Sequence, residues 1–234
     1  MDYKYIKVRE EDFKYYVTLA RPAKRNAFTP TMVNELAYAF EQANRKECIK
    51  VVIIDAEGPI FCAGMDLKTF QNPELDEPNP AISNKDISLG EVFDNLHKPS
   101  IALVEGNVIA GAFLIVLGCT YVFTKSEVQF RFPELALGIF PFQVMASLLK
   151  VMPEKKVLQL CLETNYFDVN KALEFGIIDG ILDEEKVDIL IESFKDVSVR
   201  ALSEGIRSLR ALQDIPQHKK FAYLKSVLDG LRNN

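Results

Sequence analysis

Residues 98–119 read KPSIALVEGNVIAGAFLIVLGC and combine an extended run, a glycine turn and a long apolar stretch. The run at 100–104 predicts a strand buried on both faces, as in a parallel sheet. From Gly106 to Cys119 the pattern predicts a turn followed by a helix. The uninterrupted apolar part, 108–118, is far shorter than the roughly 20 residues that a helix needs to cross a bilayer. The segment therefore indicates a buried element of a globular domain.

Composition and charge narrow the class of protein. The 234 residues carry a formal net charge of −5, which gives no general attraction to nucleic acid or to an anionic membrane surface. The N-terminus is charged from Asp2 onward, so no secretory signal is predicted. The four cysteines are scattered without C-x-x-C spacing, and the sequence has two histidines. We therefore expect reduced core cysteines, no metal site, no membrane partner and a cytoplasmic protein.

Strands and helices alternate on both sides of the opening segment. Strands are predicted at 16–19, 50–55, 121–123 and 128–132. A helix is predicted from Thr29, the N-cap, through Pro30 to about Arg45, and another at 88–96. Residues 71–88 are rich in Asn, Pro, Asp, Glu and Ser and are interpreted as a mobile surface loop. Helical patterns dominate after Pro141, so the chain is predicted to be an α/β core with a C-terminal helical extension, in one folding unit.

Two strand-to-helix turns have features beyond packing. One is FCAGMDL at 61–67, and the other is GNVIAG at 106–111. Both place small residues before a predicted helix, where unpaired backbone N–H groups can bind a developing negative charge. Small residues in such turns are common, however, so each turn alone is a weak indication of function.

The two turns together resemble a known family. FCAGMDL at 61–67, KPSIALVEG at 98–106 and FPELALGI at 132–139 are similar to the signature stretches of the enoyl-CoA hydratase/isomerase (crotonase) superfamily. RPAKRNA at 21–27 and ALEFGIID at 172–179 also match, so the resemblance covers roughly residues 5–190. It implies an α/β, crotonase-like spiral of ββα units at 1–190, with a shorter than usual C-terminal helical region at 191–234 for trimerisation and pocket cover.

The resemblance also implies site residues. Backbone N–H groups of Met65 and Gly111 would hold the oxygen of an acyl-CoA thioester, and such preorganised donors stabilise a developing oxyanion. The residues implied at the CoA moiety are Lys24, Arg25, Ala27, Cys62, Ala63, Asp66 and Leu67. No cofactor beyond the substrate's own CoA is implied.

The family pattern is incomplete at one catalytic position. Hydratases of the superfamily use two glutamates, and here the first position is Leu114 while the second is Glu134. Leucine cannot accept a proton or orient a water, whereas a single carboxylate can move a proton from C2 to C4. Apolar neighbours, including the predicted pocket residues Leu114, Phe140 and Phe142, would raise the pKa of Glu134. The resemblance therefore favours a Δ3,Δ2-enoyl-CoA isomerase.

Three alternatives stay open. They are an enoyl-CoA hydratase, a polyketide-type decarboxylase of the same superfamily, and a non-catalytic acyl-CoA-binding protein with this fold. A Glu134 side chain buried away from a pocket would favour the last. The resemblance further implies a homotrimer or hexamer, and the acidic net charge predicts no nucleic-acid partner.

Overall fold

The computed structural model describes residues 1–232, in which strands and helices alternate along most of the chain. The strands are β1 Ile6–Glu11, β2 Lys14–Leu19, β3 Val51–Ala56, β4 Ile60–Cys62, β5 Ser100–Val104, β6 Asn107–Ile109, β7 Tyr121–Thr124, β8 Phe130–Arg131 and β9 Gly180–Ile181. The helices are α1 Pro30–Arg45, α2 Leu67–Gln71, α3 Leu89–Asp94, α4 Phe113–Val116, α5 Phe142–Leu148, α6 Glu154–Cys161, α7 Val169–Glu174, α8 Glu184–Glu192, α9 Val199–Ala211 and α10 Lys220–Arg232.

Two sheets share these strands. A six-stranded sheet has the order β1-β2-β3-β5-β7-β9, and a three-stranded sheet has the order β4-β6-β8. β1 and β2 are antiparallel, and the other strand pairs are parallel. From β3 to β8, each consecutive pair places one strand in the large sheet and the next in the small sheet, and a helix follows. The predicted spiral of ββα units is therefore confirmed.

The apolar run in β3 reflects burial on both faces of the large sheet. Val52 and Ile54 belong to the main core, which also contains the buried face of α1. Val51 and Ile53 belong to a smaller cluster with Val187 of α8. Side chains alternate between the faces of a strand, so two covered faces require apolar residues at every position.

The helix predicted from Thr29 is confirmed as α1. The Thr29 side chain accepts a hydrogen bond from the Met32 N–H, and Pro30 occupies the first turn. Met32, Leu36 and Phe40 are at most 1% exposed. An N-cap of this kind typically contributes about 1 kcal/mol, and the apolar stripe fixes which face of the helix meets the sheets.

The prediction for 106–119 was wrong in part. The turn contains the strand β6 and a 3₁₀ turn at Ala110–Ala112, which leaves only the short helix α4. β6 has three residues and is held by its neighbours β4 and β8, so no local pattern indicates it. β1 was also not predicted, because most of its side chains are exposed at the sheet edge.

The segment at 71–88, predicted to be a mobile surface loop, is hydrogen-bonded to α1 at several points. Asp76 and Asn79 are buried. Asp76 Oδ2 accepts from the Thr31 N–H at 2.8 Å, and Asn79 Nδ2 donates to Glu35 Oε1 at 2.8 Å. Buried polar groups need such partners, and these bonds hold the middle of the segment against the first turns of the helix.

Helices occupy most of the chain after residue 141. The boundary predicted at residue 190 stays a prediction, and residues 233–234 of the predicted terminal region lie outside the described part. In residues 1–232 no helix combines the length and apolar character needed to span a bilayer. Cys62 and Cys161 are buried as predicted, whereas Cys48 is exposed, so the prediction of a core position was wrong for that residue.

Candidate functional site

The carboxyl edge of the small sheet collects three of the predicted site residues. Cys62 of β4 is in register with Val108 of β6, and Ile109 of β6 with Arg131 of β8. Met65, Gly111 and Glu134 follow these strands by three, two and three residues. Adjacent strands lie about 4.8 Å apart, so the parallel register brings the three segments to one edge.

Met65 and Gly111 lie next to each other through their backbones. A Cβ built on Gly64 would lie 3.0 Å from the Gly111 nitrogen, and one built on Gly111 would lie 3.7 Å from the Met65 nitrogen. In residues 1–232 no backbone carbonyl accepts a hydrogen bond from either N–H. The structure therefore places two unpaired backbone donors side by side.

The backbone around these donors has unusual conformations. Gly64 has a φ of +84°, and Ala110 has a φ of +57°. An alanine in the left-handed region costs roughly 1 kcal/mol or more. Position 64 favours glycine because of its positive φ, and also because a Cβ there would lie 2.8 Å from Ala110 Cβ.

Glu134 begins a 3₁₀ turn at Glu134–Leu137 and is 7% exposed. Its Oε2 is buried and has no hydrogen-bond partner among the described residues. Burial raises the pKa of Glu134, and a hydrogen bond from its own backbone N–H offsets this in part. The predicted direction of the shift is confirmed. A buried carboxylate without a counterion keeps its proton to a higher pH than an exposed carboxylate does.

Cys161 is the titratable neighbour of this carboxylate. Burial raises the pKa of the Cys161 thiol to about 11, and the charge of Glu134 adds to the effect. The thiol therefore stays protonated and neutral beside Glu134 at neutral pH.

Leu114, predicted to stand where family hydratases have their first glutamate, has a buried apolar side chain. It is 2% exposed in α4. Its Cδ2 would lie 3.7 Å from a Cβ built on Gly90 of α3. The side chain thus packs between two helices.

The two predicted pocket aromatics differ in exposure. Phe140 packs against the main core while half-buried. Phe142 is 70% exposed, and its ring centroid lies 5.7 Å from that of Phe140. Phe142 therefore lies on the outer surface of the single chain, and its role in a substrate pocket stays a prediction.

A cavity of about 190 Å³ borders Met65. Its apolar walls include Phe28, Val33 and Leu89, and Gln143 contributes a polar side chain. Glu134 is not among the residues that line this cavity. Met65 therefore borders this cavity, whereas the buried Glu134 does not.

The predicted CoA residues separate into an exposed group and a supporting group. Lys24 and Arg25 are exposed in and after the 3₁₀ turn Pro22–Lys24, and neither pairs with a carboxylate in residues 1–232. Leu67 is 45% exposed. These three side chains are available to a ligand.

The residues of the supporting group form hydrogen bonds with other parts of the protein. Cys62 is fully buried, and its Sγ donates to the Asn26 carbonyl at 3.0 Å. The Ala63 N–H donates to the Arg25 carbonyl at 3.0 Å, and the Ala27 N–H to the Lys24 carbonyl at 3.0 Å. These bonds join the basic turn to the segment that leads to Met65.

Asp66, which was predicted to lie near the CoA moiety, also stabilises the local structure. Its side chain accepts from the Lys68 N–H at the start of α2 and pairs with Arg21 at 2.8 Å. Arg21 also donates to the Ala27 carbonyl. Sequence reasoning missed Arg21 as a site residue, although the residue lies at the start of the matched RPAKRNA stretch.

A comparison with known protein families shows which family the chain belongs to. The model described as "Enoyl-CoA hydratase/isomerase" matches residues 14–225. The chain belongs to the enoyl-CoA hydratase/isomerase family. Family members process acyl-CoA substrates, and the resemblance seen in the sequence is thereby confirmed.

Relatives of this family member cover most of its length. "Enoyl-CoA hydratase domain-containing protein 3, mitochondrial" of Mus musculus is 25% identical in a 232-residue alignment that covers 95% of this chain and 76% of the relative. "Probable enoyl-CoA hydratase" of Bacillus subtilis is 25% identical, over 95% of this chain and 86% of its own. An enoyl-CoA hydratase/isomerase structure from Marinobacter aquaeolei superposes with a TM-score of 0.85 at 19% identity, covering 98% of this chain and 92% of that one, and shows the shared fold.

Proposed function

We propose that this family member moves the double bond of a 3-enoyl-CoA to the 2-position. Glu134 takes a proton from C2, electrons shift toward the thioester, and the same carboxyl group returns the proton at C4. The N–H groups of Met65 and Gly111 stabilise the negative charge that develops on the thioester oxygen. These reaction steps consume no water and need no second carboxylate.

The observation that carries the proposal is the contrast between two positions. Glu134 is a buried carboxyl group with an unpaired oxygen and a raised pKa, whereas Leu114 is apolar and closely packed. A raised pKa strengthens the carboxylate as a base and the carboxyl group as an acid. Two-carboxylate hydration has no acidic side chain at the Leu114 position.

Hydration is the second candidate, because the names of the mouse and Bacillus relatives say hydratase. Non-catalytic acyl-CoA binding also has support in the structure, since Glu134 does not line the cavity beside Met65. Decarboxylation has no observation of its own in its favour.

A panel of thioesters tests these candidates. We expect 3-hexenoyl-CoA to become 2-hexenoyl-CoA without a change of mass, whereas hydration adds the mass of water and decarboxylation removes carbon dioxide.

Glu134→Gln should reduce isomerisation by about 10²–10⁴-fold. Glu127→Gln, at an exposed neighbouring carboxylate, is the matched control and should leave the rate unchanged. Undiminished turnover by Glu134→Gln would refute the role of this residue.

The proposal includes a homotrimer or hexamer located in the cytoplasm. Exposed apolar side chains on the last two helices, such as Leu209 and Phe221, at 70% and 80% exposure, support self-association. Light scattering coupled to size-exclusion chromatography tests the assembly, and a monomer would contradict it.

A further inference from the structure

Phe28 contacts both backbone segments that supply the unpaired N–H groups. It lies between the basic turn and α1, is 8% exposed and forms a parallel bridge with Met65. Neither sequence patterns nor the family resemblance singled out this residue.

The Phe28 main chain holds the peptide group of Met65. The Phe28 N–H donates to the Gly64 carbonyl at 2.8 Å, and the Asp66 N–H donates to the Phe28 carbonyl at 2.9 Å. In a trans peptide the C=O and N–H bonds point in opposite directions. Because the Gly64 carbonyl is fixed on Phe28, the Met65 N–H is directed away from the Phe28 main chain and stays unpaired.

The Phe28 ring occupies the space beside Gly111. A Cβ built on Gly111 would lie 2.9 Å from Phe28 Cζ and 3.0 Å from Cε1. The backbone of Gly111 does not have a positive φ, so its conformation alone does not require glycine. The aromatic ring is the nearest obstacle to a side chain at position 111.

We propose that Phe28 is the positioning residue that sets the distance between the two oxyanion donors. Its main chain orients the Met65 N–H, and its ring fixes how closely Gly111 approaches. This inference rests on the proposed function insofar as the two N–H groups bind a thioester oxygen. Phe28 itself exchanges no proton with the substrate.

A double-mutant cycle tests the ring. Gly111→Ala forces the new methyl group against the ring and should lower kcat for 3-hexenoyl-CoA at least about tenfold, since losing a whole oxyanion donor costs about 10²–10³-fold. Phe28→Leu removes Cζ and Cε1 and should lower kcat about threefold to tenfold by loosening Gly111. The double variant should recover to about the kcat of Phe28→Leu, with similar KM values throughout. Phe70→Leu, at an exposed ring, is the matched control and should not rescue Gly111→Ala.

A spectroscopic readout separates this inference from the proposed reaction. The absorbance of bound 2,4-hexadienoyl-CoA shifts to longer wavelength when its carbonyl accepts hydrogen bonds, and this needs no turnover. We expect a shift with the wild type, a smaller one with Gly111→Ala and a restored one with the double variant. A wild-type shift without isomerisation would refute the proposed reaction and leave the role of Phe28 standing.

Two results would overturn the role of Phe28. One is a double variant whose kcat and spectral shift are no better than those of Gly111→Ala. The other is a double variant that regains thermal stability but neither of those readouts, because Phe28 would then be a packing partner alone. Absence of a shift with the wild type would overturn the oxyanion site and this inference together.

Discussion

Arg21 and Asp66 form an ion pair, with 2.8 Å between Nη1 and Oδ2, that joins the basic turn to the start of α2 immediately after Met65. Both side chains are largely buried, at 14% and 13% exposure. Burial opposes ionisation of Asp66, but the hydrogen bonds from Arg21 and Lys68 outweigh it and keep the pKa of Asp66 below its ordinary value.

Asp66→Asn should destabilise the protein by about 1–3 kcal/mol at pH 7, because it removes a charged hydrogen bond and weakens a helix cap. Stability from a lowered carboxyl pKa is present above the unfolded value, about 3.9, and is lost as the pH falls through the folded pKa. The difference between wild type and variant should therefore shrink toward pH 3. Thermal unfolding over this range measures it. Asp183→Asn, at the cap of α8 with a side chain that is 43% exposed, is the control, and an equal loss there would contradict a special role for the buried pair.

Glu134→Gln should stabilise the folded chain at pH 7 while it removes activity. A carboxyl pKa that folding raises means that the ionised form is disfavoured in the folded state. This penalty is absent below the unfolded pKa and is complete above the folded pKa. We expect the unfolding temperature of the variant to exceed that of the wild type at pH 7, by a few degrees, and to equal it near pH 4. A less stable variant at pH 7 would show that the carboxylate has an undetected partner.

Leu114→Glu should be strongly destabilising, because a carboxylate at a 2% exposed position has no counterion in the described structure. The expected loss is about 3 kcal/mol or more. Leu114→Met keeps the volume and should lose less than about 1.5 kcal/mol. Denaturant unfolding compares the two. If folded Leu114→Glu protein gains water addition to 2-hexenoyl-CoA, the missing glutamate is what separates this chain from two-carboxylate hydration.

Lys24→Ala with Arg25→Ala should weaken acyl-CoA binding without affecting the fold, because both side chains are exposed and free of carboxylate partners in the part of the chain that the structure describes. Each charge contact is worth up to about 1 kcal/mol, so KM should rise about threefold to thirtyfold with kcat nearly constant, and the effect should fade at high salt. Lys155→Ala, at an exposed position on α6, serves as the control. An unchanged KM would exclude the basic turn from the CoA site.

Local sequence determined much of this fold. The apolar runs of β3, β5 and β7 and the Thr29-Pro30 start of α1 predict elements that the structure contains, because burial on both faces and N-capping leave direct traces in residue type. β6 has no such trace, since three residues become a strand only when β4 and β8 pair with them.

For the site, the sequence by itself determined the chemistry that is available: one carboxylate at Glu134, leucine at position 114 and glycine at position 111. Only the tertiary structure decided the distances and environments. It left the buried Oε2 of Glu134 without a hydrogen-bond partner among residues 1–232. It also brought the backbones of Met65 and Gly111 together and placed the Phe28 ring against Gly111. The contacting segments are more than 30 residues apart in the chain, and their meeting depends on the register of the small sheet, which no local pattern of residues specifies.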